Sequence, residues 1–412
     1  MKKTVNPGHR KGIVQIPASK SDGQRAFLAA ALAKGTSVLK GTGNSDDELA
    51  LLETVRQLGA EITTSGKELT ISGIADFPRE ASISAGESGL GIRLTGMVCA
   101  AHEGIFTING TGSLLSRPMD FFEEVLPKLG ATGKTSNGKL PLVISGPLTG
   151  GELEVDGSLS SQFISGMLMA LPLAKNDSIL KVNNLKSAPY VNMTLKTLKA
   201  FGITVENENL EVFRIPGNQA YQPADYTIDA DWSSASCWLV ASALGHDLAI
   251  SGLSLSSLQA DKALLSFFLA ADCKVVRGEE GISIHGLART AFSVDATDCP
   301  DLFPALTTLA AFCEGTSRIR GVSRLAHKES NRGLALQSEF GRLGVKIDLD
   351  GDEMLIHGTG KVGGGTVHSH HDHRIAMCLA VAGLSAGKEV IIEDAEAVSK
   401  SYPAFWEVLE KL

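Results

Sequence analysis

Leu198-Lys199-Ala200-Phe201-Gly202-Ile203-Thr204-Val205 reads as the end of a helix, an apolar-glycine pair and the start of a strand. The same figure stands at Val55-Arg56-Gln57-Leu58-Gly59-Ala60-Glu61-Ile62, at Val125-Leu126-Pro127-Lys128-Leu129-Gly130-Ala131-Thr132 and at Phe340-Gly341-Arg342-Leu343-Gly344-Val345-Lys346-Ile347. A further copy, Phe268-Leu269-Ala270-Ala271-Asp272-Cys273-Lys274-Val275, carries Asp in the glycine slot. The slots at 59, 130, 202, 272 and 344 are separated by 71, 72, 70 and 72 residues. A glycine here takes the left-handed conformation that ends a helix and turns the chain into the next strand. Strand-like runs follow each slot, at 69–71, 142–144, 211–213, 282–284 and 354–356. The spacing therefore predicts units of about 70 residues that mix helix and strand. Six such units fill the 412 residues, the last ending in the helix-like residues 404–409. No linker, charge block or low-complexity segment divides them, so any domain is a group of units.

The chain is 43% hydrophobic, enough for two packed domains, and its formal charge of −8 argues against a nucleic-acid or anionic-membrane surface. A small anionic ligand needs only local positive charge. Cys99, Cys237, Cys273, Cys299, Cys313 and Cys378 are scattered without a C-x-x-C and read as reduced core residues. Met1-Lys2-Lys3-Thr4-Val5-Asn6-Pro7 has neither an apolar h-region nor transit-peptide richness in Arg and Ser. No apolar run is long enough to span a bilayer, and a cytoplasmic location is expected.

Positive charge gathers where helices begin. Pro17-Ala18-Ser19-Lys20-Ser21-Asp22-Gly23-Gln24-Arg25 precedes the apolar run 26–32, so Lys20, Ser21 and Arg25 lie in or just before the first turns. Backbone N–H groups, a hydroxyl and two cations there could hold an anion; a plain Ser-capped helix is the bland alternative. Gly86-Glu87-Ser88-Gly89-Leu90-Gly91-Ile92-Arg93 is a glycine-rich turn into another apolar helix. Arg117 precedes Pro118, which reads as a first helical position. Ser160, Ser161 and Gln162 crowd three donors before an apolar helix at 163–173, where a cap needs one, and Ser187-Ala188-Pro189-Tyr190 adds a hydroxyl pair before the helix at 191–201. In Asp231-Trp232-Ser233-Ser234 the cap reading is favoured.

Asp301 stands at the mouth of the helix at 305–312 as a cap or a general base. His327-Lys328-Glu329-Ser330-Asn331-Arg332 would put Lys328 and Arg332 on one helical face, unfavourable unless an anion lies between them. Glu329 beside them could act as an acid once an anion raises its proton affinity. His368-Ser369-His370-His371-Asp372-His373-Arg374 invites a metal hypothesis, which Arg374 opposes. Ser399-Lys400-Ser401-Tyr402-Pro403 brings a lysine to the last helix start. Lys20, Arg25, Arg117, Lys328, Arg332, Arg374 and Lys400 thus all sit near expected helix N-termini, where the dipole disfavours cations. Together they suggest a shared anionic ligand.

These motifs, in this order along the whole chain, resemble the family of 5-enolpyruvylshikimate-3-phosphate synthases (3-phosphoshikimate 1-carboxyvinyltransferases). The resemblance rests on Lys20-Ser21 with Arg25, Ser160-Ser161-Gln162-Phe163, Lys328-Glu329-Ser330 with Arg332, Asp372-His373-Arg374-Ile375-Ala376-Met377 and Lys400-Ser401-Tyr402-Pro403. It implies an α/β fold of two similar domains, each of three βαβαββ units, like an inverse α/β barrel with helices inside and sheets outside, that close on the substrates. The chain would cross between domains near 14–20 and 228–232, giving a discontinuous domain, 1–16 plus 230–412, and an inserted one, 17–229.

By resemblance, shikimate 3-phosphate would be bound by Lys20, Ser21, Arg25, Ser160, Ser161, Gln162, Ser187, Tyr190, Asp301 and Lys328. Phosphoenolpyruvate would be bound by Lys20, Gly89, Arg117, Gln162, Arg332, Arg374 and Lys400, with Lys328 beside Gly89. Asp301, Glu329 and Lys20 would carry the proton transfers of an addition–elimination. No metal or organic cofactor, no nucleic acid and no membrane is implied, and the enzyme would work as a monomer. The chain departs from the family at Gly86-Glu87-Ser88-Gly89-Leu90, where Gly-Asn-Ala/Ser-Gly-Thr is common, and at Gly23, which replaces a hydroxyl residue. Two alternatives remain beside a metal hydrolase. The sister transferase for UDP-amino sugars carries a cysteine shortly before the Arg-Pro pair, which residues 109–116 lack. A binding-only scaffold would not need Glu329 and Asp301 among the cations.

Overall fold

The computed structural model describes residues 1–158, 160–326 and 328–412; Leu159 and His327, quoted in the motifs above, lie outside the described residues. The chain forms two compact units, Ala18–Asp229 and Met1–Pro17 with Ala230–Leu412. The first contains α1 (Lys20–Leu32), α2 (Asp46–Gln57), α3 (Gly89–Ala100), α4 (Asp120–Val125), α5 (Ser161–Ala170) and α6 (Ala188–Ala200). The second contains α7 (Trp232–Ala243), α8 (Leu264–Ala270), α9 (Phe303–Ala311), α10 (Arg332–Arg342), α11 (His373–Leu384) and α12 (Phe405–Lys411).

One topology recurs. Glu80–Ser84 runs parallel to Gly104–Asn109 across α3; after α4, Thr132–Ser136 and Lys139–Gly146 form a hairpin whose second strand pairs antiparallel with Gly104–Asn109. The same order is built by Gly151–Asp156, Ser178–Asn183, Glu206–Glu208 and Val212–Ile215, and by Ser293–Asp295, Glu314–Arg320, Lys346–Asp350 and Glu353–Thr359. Two sheets borrow their first strand from elsewhere in the chain. Asp225–Thr227 lies parallel to Thr36–Lys40, and Lys11–Gln15 lies parallel to Asp247–Ser251. In the last sheet Gly365–His368 and Val390–Glu393 pair in parallel, and Lys2–Val5 fills the hairpin's place.

The cap slots explain the repeat. Gly59, Gly130, Gly202 and Gly344 have φ of 111°, 85°, 75° and 84°, and Asp272 takes φ 58° in the same slot. Asp is among the few side chains that tolerate this region.

Helices form the inside of each unit. Every residue of α3, α7, α9 and α11 is buried, as expected of helices apolar on all sides. The strands alternate: in Glu314–Arg320, Ser317 and Ile319 are buried and their neighbours exposed, so one sheet face covers the helices and the other meets water. Each buried Leu or Ile contributes about 1.5–3 kcal/mol. A charge at Ile92, Leu94 or Val98 would have no solvent-facing side to turn to. The consequence for function is positional: an all-buried helix delivers its N-terminus, with the unpaired N–H groups, to the end of the unit.

Two local expectations are corrected. Pro118 is not in a helix; Arg117 ends the 3-10 turn Gly112–Ser116, and α4 starts at Asp120. Lys328 lies outside α10, which Asn331 caps by accepting from Leu334 N at 3.3 Å, so Lys328 and Arg332 do not share a helical face.

Candidate active site

In unit Ala18–Asp229, serines cap α1, α3 and α5. Ser19 Oγ accepts from Asp22 N at 3.4 Å, Ser88 Oγ from Gly91 N at 3.0 Å and Ser160 Oγ from Gln162 N at 3.2 Å. Side chains of the first turns then tie the three ends together. Ser88 Oγ donates to Gln24 Oε1 at 2.8 Å, and Arg93 Nη1 donates to Gln162 Oε1 at 2.8 Å and to Gly89 O at 2.9 Å. Arg25 donates from Nη2 to Ser165 Oγ at 3.1 Å and from Nε to Thr194 Oγ1 at 2.7 Å. Three positive dipole ends therefore meet, and none of their caps is a carboxylate. That is a site for an anion.

Cations line it. Lys20 is buried, its Nζ 2.9 Å from Asp47 Oδ2 at the start of α2. Arg117 is buried over Gly89: a Cβ at Gly89 would collide with Arg117 Nη1 and press on Arg93 Nη1. Arg93 also lies over the Phe163 ring at 4.8 Å. Arg25 is buried too, and burial pushes its guanidinium down to about 10. Its Nη1 donates to Ser21 O at 2.6 Å and its Nη2 to Tyr190 O at 3.3 Å. Arg25 thus braces the very residues expected to bind ligand. Ser161 is buried in the first turn of α5. Ser187 is buried in the left-handed region at φ 57°, and its hydroxyl does not cap α6. Glu87 accepts from Ser113 N and Oγ, both at 3.2 Å, so this departure from the family braces the turn that leads to Arg117.

The other unit is built on carboxylates. Asp231 caps α7, Asp372 caps α11, and Asp301 lies in the 3-10 turn Pro300–Leu302 before α9. Arg332, wholly buried, joins three acids: Nη1 donates to Asp301 Oδ1 at 2.8 Å, Nη2 to Glu329 Oε2 at 2.9 Å and Nε to Asp372 Oδ2 at 2.9 Å. Nη2 also donates to Asp372 Oδ1 at 3.2 Å. Four of its five N–H bonds are thus taken among the described residues. Arg374 Nη2 lies 3.1 Å from Asp301 Oδ2, and Lys328 Nζ 3.6 Å from Asp301 Oδ1. Burial alone would push the Asp301 carboxyl up; Arg374, Lys328 and Arg332 overcome this and hold it well below the usual carboxylate range. Lys328 is pushed down from the ordinary lysine value, chiefly by burial. Lys400 is buried at the end of the 3-10 turn Ala395–Lys400.

Of the residues expected from sequence, Lys20, Ser21, Arg25, Gly89, Arg117, Ser160, Ser161, Gln162, Ser187 and Tyr190 belong to the first unit. Asp301, Lys328, Glu329, Arg332, Arg374 and Lys400 belong to the second. Arg93, Asp47, Ser165 and Thr194 were not singled out. Arg93 could have been found, since it lies one helical turn beyond Gly89; the others carry no local signal. The histidines are engaged locally: His370 Nε2 is 2.8 Å from Glu339 Oε1, and His371 Nδ1 is 2.8 Å from Asp394 Oδ2. Among the described residues no group of three or more His, Cys, Asp or Glu is arranged to hold a metal ion.

The solved structure of EPSP synthase from Acinetobacter baumannii resembles this one with a TM-score of 0.81 at 27% identity, covering 100% of this chain and 98% of that one. The enolpyruvyl transferase NikO from Streptomyces tendae shares the fold with a TM-score of 0.79 at 20% identity, over 99% and 96% of the two chains. The fold is that of the enolpyruvyl transferases. Within that class, the family model of EPSP synthase (3-phosphoshikimate 1-carboxyvinyltransferase) matches residues 5–409, and the chain belongs to this family. A 3-phosphoshikimate 1-carboxyvinyltransferase of Clostridium perfringens is 38% identical over 100% of this chain and 98% of its own length. One of Clostridium kluyveri is 35% identical over 99% and 96%.

Proposed function

We propose that this chain transfers the enolpyruvyl group of phosphoenolpyruvate to the 5-hydroxyl of shikimate 3-phosphate and releases phosphate, a step of aromatic amino acid biosynthesis. The observation that carries the reading is the contrast between the two clusters: helix ends capped by neutral serine among cations in one, and acids bridged by a buried arginine in the other.

Shikimate 3-phosphate is bound by Ser160, Ser161, Gln162 and Ser187, with Lys20, Ser21, Arg25 and Tyr190 around them, and Asp301 and Lys328 take its reacting side. Phosphoenolpyruvate is held by Lys20, Gly89, Arg117, Gln162, Arg374 and Lys400, and by the N–H of Arg332 that no carboxylate takes. Asp301 accepts the proton of the 5-hydroxyl as its oxygen bonds to C2 of phosphoenolpyruvate. Glu329 gives a proton to C3, its proton affinity raised as the bound phosphate and carboxylate offset Arg332. The tetrahedral intermediate then loses the C3 proton to Glu329, the C2–O bond to phosphate breaks, and the proton on Asp301 leaves with the phosphate. The cations steady the phosphate and carboxylate charge throughout. Every proton moved in these steps has a protein partner, Asp301 or Glu329. The enzyme works as a monomer in the cytoplasm; among the described residues no helix is long and apolar enough to cross a membrane.

The test is phosphate release by purified protein. It is expected only when shikimate 3-phosphate and phosphoenolpyruvate are both present; release with a UDP-amino sugar instead, or none with the pair, overturns the reading.

A further inference from the structure

Asp261 is wholly buried in the 3-10 turn Ala260–Ala263, just before α8. Ser233 Oγ, in the first turn of α7, hydrogen-bonds its Oδ2, while its Oδ1 has no partner among the described residues. An ionised carboxylate buried with one bare oxygen is costly; a carboxylic acid in the same place is far less so. The groups facing it are Asp231 and Ser233 from α7, Asp301 and Cys299 from the segment before α9, and Arg374 from α11. Arg374 is the one cation among them, and its Nη2 is already 3.1 Å from Asp301 Oδ2. Two acids that face one arginine titrate as a pair.

We propose that Asp261 is a positioning residue that carries a proton during turnover and so reserves Arg374 for Asp301 and for phosphoenolpyruvate. This rests on the roles assigned to Asp301 and Arg374 above. Burial pushes the Asp261 carboxyl up to about 7, with Asp301 adding to the rise and Arg374 and Ser233 opposing it. Asp301 is driven the opposite way, well below the usual range. Environments that separate two neighbouring acids in this manner assign them different work. Once ionised, Asp261 competes for Arg374 and repels an anionic substrate. Affinity for phosphoenolpyruvate should therefore fall as pH rises through this range.

The test compares Asp261→Asn, isosteric and uncharged, with the natural enzyme. The ratio of their KM values for phosphoenolpyruvate (natural over variant) cancels titration of the substrates themselves. It is expected to rise by at least about fivefold from pH 6 to pH 8, the direction set by one added charge near Arg374. A ratio flat in pH overturns the proposal. A second readout needs no turnover. A carboxyl whose folded value is raised above 3.8 stabilises the fold while protonated, and that stability is lost as pH rises toward 7. The Tm of the variant minus that of the natural protein should thus climb between pH 4 and pH 7 and then level; no climb means Asp261 holds no proton and overturns the proposal. If phosphoenolpyruvate is not a substrate, the functional reading falls while the Tm series still decides the proton. Should Asp261→Asn fail to fold, Ser233→Ala removes a donor that favours the ionised form and should move the KM transition to higher pH; no movement overturns the proposal.

Discussion

Arg332 Nε lies 2.9 Å from Asp372 Oδ2, and neither side chain has exposed surface. The pair fixes the loop that carries Glu329 to the N-terminus of α11, because Asp372 also accepts from Arg374 N at 2.9 Å. Removing one member of such a pair strands the other. Asp372→Ala should cost about 3–5 kcal/mol, read as a lowered denaturant midpoint with an unchanged slope. Arg332→Lys keeps the charge but loses the fork that spans three acids; kcat should fall more than stability does.

Gly89 has Arg117 lying directly over it. Gly89→Ala should displace that guanidinium and raise KM for phosphoenolpyruvate by at least about tenfold, since small misplacements at a reacting centre are costly. KM for shikimate 3-phosphate should move much less. Steady-state kinetics in both substrates checks this, and equal effects on the two would place Arg117 elsewhere in the reaction.

Ser187 is held in the left-handed region at φ 57° at the start of α6. Ser187→Gly should leave Tm unchanged or a few degrees higher, because glycine takes φ 57° freely. The same change should raise KM for shikimate 3-phosphate by removing the hydroxyl. Backbone strain at a residue proposed to bind the shikimate phosphate predicts this divergence; a parallel loss of Tm would make Ser187 a structural residue.

Glu339 has 1% of its side chain exposed and accepts from His370 Nε2 at 2.8 Å and from His368 N at 2.9 Å. Burial pushes its carboxyl up, but the bonds from His370, His368 N and Ser338 outweigh it and hold the value below the ordinary 4.5. A depressed carboxyl stabilises the fold above its unfolded value and loses that contribution as pH falls through the folded one. Glu339→Gln should therefore lower Tm at pH 7, and the gap should narrow as pH falls below the ordinary 4.5. Thermal melts across that range decide it. A gap constant in pH would show that the fold values the shape of Glu339 and not its charge.

The repeat could be read because its caps are chemical necessities. Each slot demands a left-handed residue, and even Asp272 obeys with φ 58°. The cations could be read because a helix start is a poor place for Arg or Lys unless something anionic comes there. What escaped was their partners. Asp47 meets Lys20 across 27 residues and Asp372 meets Arg332 across 40. The helical face imagined for Lys328 and Arg332 failed for a simpler reason: Asn331 starts α10 after Lys328. Gly59 and Gly344 announce themselves within eight residues; a buried ion pair between distant helix ends does not.

The borrowed strands bear on how such a chain is made. Gln15 meets Ser251 across 236 residues, so the strand Lys11–Gln15 leaves the ribosome long before its partner Asp247–Ser251 exists. Through that interval it is an open edge with nothing to pair with, a liability that Lys11 at its start helps to blunt. Asp225–Thr227, by contrast, closes the sheet of Thr36–Lys40 as soon as it emerges, completing Ala18–Asp229 while much of the rest is still unmade. Synthesis from the N-terminus thus favours the later-starting unit, and the first-born strand, Lys2–Val5, waits longer still, for Val390–Glu393.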